Sequence, residues 1–245
     1  MLKIENTEVI GWEAAIRGMR NPKNSWGKGD SEWYPIGIPT TNPAAINDKY
    51  LSQKYCLGDN DLSLMTRLRN AGTDHRKFMR MIAVYLDIMA PLYWWKEFDT
   101  YKVGTVANSC STMHKIAAKE FTLDDFSHEH LLSMTNNDAG DALFLNDANN
   151  IRIDGDDLLG LTVNVLNYYR GRYIKTKDKR YWWQLIQLLP SSYNQRRTIM
   201  LNYEVLANIY KSRRNHKLDE WHTFCDWIET LPYSELITGK GVVNE

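Results

Sequence analysis

The sequence predicts a chain of mixed α and β structure, with strands in its first part and a long helical C-terminal half. Three observations predict it. Two runs rich in strand formers, residues 4–10 and 79–89, precede Pro91. Apolar residues at helical spacing then extend from Leu158 almost to the end, closing with Val205, Leu206, Ile209, Trp221, Phe224 and Ile228. The 245 residues are 43% hydrophobic and 24% charged, so the chain can bury a sizeable core and is no disordered or fibrous polymer.

The elements follow in order. Residues 4–10 read as a strand that passes into a helix over 12–19. Pro22, Asn24, Gly27 and Gly29 make 21–30 a turn-rich loop, and Pro35, Gly37, Pro39 and Pro43 keep the next segment irregular. From Asp61 onward, Leu62, Leu64, Met65 and Leu68 line one helix face, which Gly72 ends. The strand over 79–89 comes next. Pro91 closes it and opens a helix over 92–99, because a fixed φ and a missing N–H cost nothing in a first turn. Residues 121–157 are polar and loop-rich. Helices over 158–174 and 179–189 pair across Lys175-Thr176-Lys177-Asp178, and Pro190 breaks the second. The remainder reads as helix and carries Lys211, Arg213, Arg214, His216 and Lys217, which suit either a helix C-terminus or an anion site. No repeat or linker divides the chain, so a single domain over 1–245 is expected.

Composition excludes several functions. Thirty basic residues balance thirty acidic ones, leaving no global field for nucleic acid or an anionic membrane. No apolar run approaches the roughly 18–20 residues that cross a bilayer, and Glu5 falls where a signal peptide needs its apolar stretch. A soluble, cytoplasmic protein is expected. Cys56, Cys110 and Cys225 are widely spaced and form neither a zinc pair nor a disulfide framework. The acidic run Asp154-Gly155-Asp156-Asp157 lacks the glycine and glutamate spacing of a calcium loop, and His128 and His130 have no third ligand. No metal is expected. Nine Trp and fourteen Tyr, several in doublets, serve either as packing or as stacking platforms for a planar ligand.

Chemistry concentrates between Lys96 and Lys115. Hydroxyls, an amide, a thiol, an imidazole and lysines crowd around Gly104, a composition that suits close approach to a phosphate or ribose and equally a capped loop. Cys110 and His114, four residues apart, raise a thiol hydrolase, but no orienting acid or oxyanion donor accompanies them. No phosphate-binding glycine loop or dinucleotide fingerprint is present.

Two stretches resemble the flavin-dependent thymidylate synthases. That family carries an Ala-Pro and aromatic lead-in, then Arg-Gln, then Arg-His-Arg, two residues, Ser, one residue, Asn-Glu, one residue, Ser, one residue, Arg. Here Ala90-Pro91 and the aromatics Tyr93-Trp94-Trp95 are followed by Lys96-Glu97 in place of Arg-Gln and Thr100-Tyr101-Lys102 in place of Arg-His-Arg. Thr105 takes the first serine position, and after one extra residue, Ala107, Asn108-Ser109, Ser111 and Met113 take the later ones. The C-terminal match is closer in spacing: Leu189-Pro190, Arg196, Asn202, Leu206, Asn208, Arg213 and Glu220 fall on the family's pattern. The resemblance covers residues 60–115 and 158–232. It leaves 1–60 as a divergent N-terminal region and 121–157 as a polar insertion.

The resemblance implies an α+β fold, an antiparallel sheet flanked by helices, assembled as a homotetramer. It implies FAD as cofactor, a deoxyuridine nucleotide as substrate, and NADPH and methylenetetrahydrofolate as co-substrates. Residue by residue, Arg213 would polarise the pyrimidine, Glu97 and Ser111 would position the nucleotide, and Thr100, Tyr101, Lys102, Asn202 and Asn208 would face FAD. About 3.6 residues per turn puts Asn202 and Arg213 on one helix face, about 16 Å apart. Thr100, Tyr101 and Met113 stand where the family has cations, and an arginine fork grips phosphate bidentately as no lysine can. That leaves two alternatives open: a catalytically lapsed member that binds a nucleotide or a protein, and a helical interaction protein with aromatic anchors.

Overall fold

The computed structural model describes residues 2–36, 52–133, 143–146 and 151–240. In chain order its elements are β1 (Lys3–Ile10), α1 (Trp12–Arg20), β2 (Glu32–Ile36), β3 (Ser52–Cys56), α2 (Asp59–Asn70), β4 (Ala83–Pro91), α3 (Leu92–Phe98) and β5 (Val106–Ser109). Then come β6 (Leu143–Asn146), β7 (Ile151–Ile153), α4 (Gly155–Thr176), α5 (Lys179–Leu188), β8 (Asn194–Asn202), α6 (Tyr203–Arg213), α7 (Asp219–Glu229) and α8 (Glu235–Thr238). An antiparallel sheet in the order β1-β4-β8-β5 is flanked by helices, the architecture the resemblance implies. The hairpins β2-β3 and β6-β7 are separate two-stranded sheets. No helix among the described residues is long and apolar enough to cross a membrane.

The sheet corrects two expectations. The strand expected over 79–89 begins only at Ala83, because Arg76–Met81 winds as a 3-10 turn. From there period-two alternation takes over: Val84, Leu86, Ile88 and Ala90 are buried while Tyr85 and Met89 face out. The segment after Pro190 is not continuous helix. β8 occupies Asn194–Asn202, where Gln195, Ile199 and Leu201 are buried and Thr198 is exposed. Thr198, Ile199, Met200 and Leu201 form a run too short to tell strand from buried helix by periodicity, and pairing to β4 and β5 decides it. Pro35, expected in irregular chain, sits in β2; both strands of a two-stranded sheet are edges, where a missing N–H is tolerated. Gly37, Pro39 and Pro43 lie outside the described residues. So does much of 121–157, although β6 and β7 give that loop-rich stretch a hairpin.

The chain packs as two compact units. The first comprises Met1–Asn6, Leu86–Lys102 and Ala107–Ile199; the second, Thr7–Tyr85, Val103–Val106 and Met200–Glu245. In the first, α4 packs on α5, and Leu159, Val163, Leu166 and Leu185 close over Ile116, Phe121 and Phe126. The Trp94-Trp95 doublet is core, both rings fully buried: Trp94 meets Trp95 edge-on at 4.9 Å and stacks on Phe98 at 5.1 Å. The acidic run ahead of α4 is a helix start, in which Asp154 caps Asp157 N at 2.7 Å and Asp157 completes a capping box. Among the described residues no group of three His, Cys, Asp or Glu is placed to hold a metal ion.

In the second unit α6 packs on α7, α8 and the 3-10 turn Arg76–Met81. Trp12 sits edge-on to Tyr203 and to Tyr233, each at 5.3 Å. Gly11 permits the turn from β1 into α1, with φ 98° and a main chain so close to Met81 that a Cβ would lie 2.1 Å from its carbonyl oxygen.

Candidate functional site

In the first unit a cleft of about 280 Å³ opens beside β8 and the segment that follows β5. Two main-chain anchors shape it. Cys110 N donates to Arg196 O at 2.9 Å, and the Gln195 side-chain Nε2 donates to Cys110 O at 2.8 Å. The chain beyond Cys110 turns rather than coiling into a helix: Ser111 Oγ accepts from His114 N at 2.9 Å, and Trp182 Nε1 donates to Met113 O at 3.0 Å. Cys110 and His114 therefore do not share a helix face, and the hydrolase geometry that needs one is absent.

The cleft's charges are unequally compensated. Lys119 pairs with Asp125. Arg196 meets Asp87 at 2.7 Å and Glu5 at 3.3 Å. Hydrogen bonds from Thr198, Arg196 and Asn6 hold the Asp87 carboxyl well below the usual carboxylate range. Lys115, exposed on the rim, has no carboxylate partner among the described residues. Asn194 Oδ1 lies buried in the wall with no hydrogen-bond donor. Burial, then the nearby Asp125 and Cys110, push the Tyr193 hydroxyl above its usual value, so it stays a neutral donor. The cleft thus offers a hydroxyl (Ser111) and an ammonium (Lys115) to an anionic group, and a bare acceptor (Asn194) to a hydrogen-bond donor, a set that suits a polar ligand carrying both.

The other expected site residues in this unit lie on α3 and the turn after it. Glu97 is half-buried near the end of α3, and its carbonyl accepts from Thr100 Oγ1 at 2.8 Å. Thr100 and Tyr101 occupy the 3-10 turn Asp99–Tyr101, which Lys102 closes with its side chain exposed.

Asn202, Asn208 and Arg213 belong to the second unit. Asn202 is the N-cap of α6 and accepts from Val205 N at 3.0 Å, while Gly104 leaves room for its amide nitrogen. Asn208 is exposed and accepts from Arg76 at 3.1 Å. Arg213 ends α6 with its guanidinium 4.8 Å from the centre of the Trp221 ring, so this cation is stacked rather than freely solvated.

Sequence reasoning does not pick out Tyr193, Asn194 or Gln195. They lie at the start of β8, an internal strand that only its pairing to β4 and β5 identifies, so the local sequence carries no signal for them. Arg69, far along the chain from Arg214 yet in one groove with it, gave no sequence signal at all.

No family model matches the chain, and no curated protein matches it. Solved structures do. Thymidylate Synthase X from Helicobacter pylori, crystallised with FAD and dUMP, superposes with a TM-score of 0.62 at 14% identity, covering 98% of this chain and 98% of that one. A second structure of that enzyme with FAD and dUMP gives 0.59 at 14% identity over 97% and 98% of the two chains. A UMP/dUMP methylase, PolB from Streptomyces cacaoi, bound with 5-Br UMP, gives 0.55 at 14% identity over 98% and 96%. At that identity the likeness establishes the fold, end to end.

Proposed function

We propose that this protein is a flavin-dependent enzyme that transfers a one-carbon unit to C5 of a deoxyuridylate-like nucleotide. The observation that carries the reading is the end-to-end fold correspondence, at 98% of both chains, with an enzyme crystallised with FAD and dUMP. The methylase likeness adds a second pyrimidine nucleotide enzyme on the same fold. Motif positions support it from the sequence side, since Ser111 opens into a cleft with an uncompensated Lys115.

Each unit carries exposed polar groups at positions that the resemblance gives to FAD. Lys102 is an exposed ammonium with no ion pair among the described residues. Asn208 is exposed and its Oδ1 accepts from Arg76, which leaves its two N–H donors to a ligand. FAD would supply hydride chemistry when bound, with NADPH and methylenetetrahydrofolate as co-substrates. On this reading Thr100, Tyr101 and Lys102 contact the cofactor, and so do Asn202 and Asn208. Glu97 and Ser111 orient the nucleotide, and Arg213 stabilises negative charge developing on the pyrimidine. The assembly is a homotetramer.

The test is direct. Purified protein should carry flavin absorbance, and NADPH oxidation should accelerate when dUMP or UMP is added. Colourless protein that takes up no FAD ends the reading. A second reading, a lapsed enzyme that still binds a nucleotide, is favoured by the uncharged Thr100, Tyr101 and Met113 at positions of family cations. It predicts nucleotide binding without any stimulated oxidation.

A further inference from the structure

The zero net charge belongs to the whole chain and not to its parts. Of the eleven residues from Arg170 to Arg180, six are basic and only Asp178 is acidic. These residues form the tip of the α4–α5 hairpin in the first unit: α4 ends at Thr176, Lys177 turns the chain at φ 58°, and Asp178 caps α5. Arg172, Lys175, Lys177, Lys179 and Arg180 are all exposed there.

The single carboxylate is spent on one of them. Asp178 accepts from the main-chain N–H of Arg180 at 2.9 Å and pairs with its guanidinium at 2.7 Å. Three other cations lie against aromatic rings, which hold a cation without cancelling its charge. Arg172 sits 5.1 Å from the centre of the Tyr181 ring and donates to its hydroxyl at 2.9 Å. Lys177 lies 5.8 Å from the Tyr173 ring, and Lys179 lies 5.9 Å from Trp182 and 5.6 Å from Trp183. Lys175 has no partner among the described residues. Lys179 also stands in the first turn of α5, where the helix dipole is positive and no acidic residue offsets it. Arg172, Lys175, Lys177 and Lys179 thus form a compact array of uncompensated charge, which a row of anions stabilises.

We propose that the tip of the α4–α5 hairpin binds the phosphate backbone of a nucleic acid through Arg172, Lys175, Lys177 and Lys179. Residues 175–180 include no apolar side chain to enter a lipid surface or to anchor a protein partner. Phosphate contacts carry no sequence information, so binding is indifferent to base sequence. The inference stands apart from the flavin reading, because none of these residues belongs to the proposed site and no cofactor is required.

The probe is a labelled single-stranded oligonucleotide of mixed sequence, titrated with the full chain and followed by fluorescence anisotropy. Saturable binding is expected, with log affinity against log salt falling at a slope of about −3, or about −0.7 for each phosphate contact. Lys175→Gln and Lys179→Gln should each weaken binding several-fold and make that slope shallower by about 0.7. Lys28→Gln, which removes an exposed cation of the second unit, should change neither. Excess dUMP should not displace the oligonucleotide. Lys175 makes no contact that folding needs, so its variant keeps the test alive if Lys179→Gln fails to fold. No saturable binding to the wild-type chain, equal affinity in Lys175→Gln and wild type, or displacement by dUMP overturns the proposal. Binding to phosphatidylserine vesicles without binding to the oligonucleotide overturns it as well. A chain that binds the oligonucleotide here but takes up no flavin keeps this inference and loses the other.

Discussion

At the scale of single residues, the most exacting contact is Arg20 with Asp61. Both side chains are buried, 4% and 0% exposed, and their charged atoms approach to 2.6 Å. Asp61 also accepts from Ser31 Oγ at 2.7 Å and from the main-chain N–H groups of Asp30 and Ser31. Removing one partner strands a buried charge, so Arg20→Met should cost about 3–5 kcal/mol in urea denaturation. Burial alone would raise the Asp61 carboxyl, but the bonds from Ser31, Asp30 and Arg20 outweigh it and hold it below the usual carboxylate value. A depressed folded-state value means stability present above about pH 4 and lost as pH falls through it. The stability gap between wild type and Asp61→Asn should therefore narrow on acidification; a gap independent of pH would refute the assignment. Arg213 and Arg214 form the second residue-scale test. Arg213→Ala should abolish nucleotide-stimulated NADPH oxidation at a stability cost of about 1 kcal/mol or less from its Trp221 contact. Arg214→Ala, which loses exposed pairs to Asp226 and Glu229, should leave turnover intact. Equal, small effects on turnover would make Arg213 a structural cation.

At the scale of elements, the junction of β8 and α6 joins fold to proposed function in one residue. Asn202 ends the strand and caps the helix, so Asn202→Ala should cost about 1 kcal/mol. Asn202→Ser keeps a capping oxygen and should leave the melting temperature nearly unchanged. If Asn202 also faces FAD, the serine variant should lose flavin while staying folded; full flavin retention would reduce Asn202 to a cap. The entry to α1 is tested differently. Gly11→Ala must place a Cβ against Met81 O and hold a left-handed backbone, so a loss of about 1–3 kcal/mol is expected in thermal unfolding.

At the scale of the whole molecule, the proposed homotetramer gives the exposed aromatics a use. Trp183, Tyr168, Trp33 and Tyr34 remain at least 43% exposed on the single chain. Light scattering should report a species of four chains, and a stable 28.6 kDa particle at micromolar concentration would remove that prediction. Thirty charges of each sign leave nothing to keep copies apart near neutrality, so solubility should rise on either side of about pH 7.

The sequence by itself located α1 to α5 to within a few residues. Pro91, Gly72 and the capping oxygens of Asp154 and Asp178 act within a few residues of the helices that they begin or follow. It also carried, in the spacing of Ala90-Pro91 and of Asn202, Asn208 and Arg213, the resemblance that anticipated an antiparallel sheet flanked by helices. Tertiary structure decided what depends on partners distant in sequence. β8 is a strand because β4 and β5 offer it hydrogen bonds, although its own composition fits a helix as well. The Trp94-Trp95 doublet became core, not platform, because Phe98 and the surrounding unit enclose it. The grouping of Arg69 with Arg76, Lys211 and Arg214 exists only after α2, α6 and α8 pack, since like charges attract no attention in sequence until folding holds them in one groove.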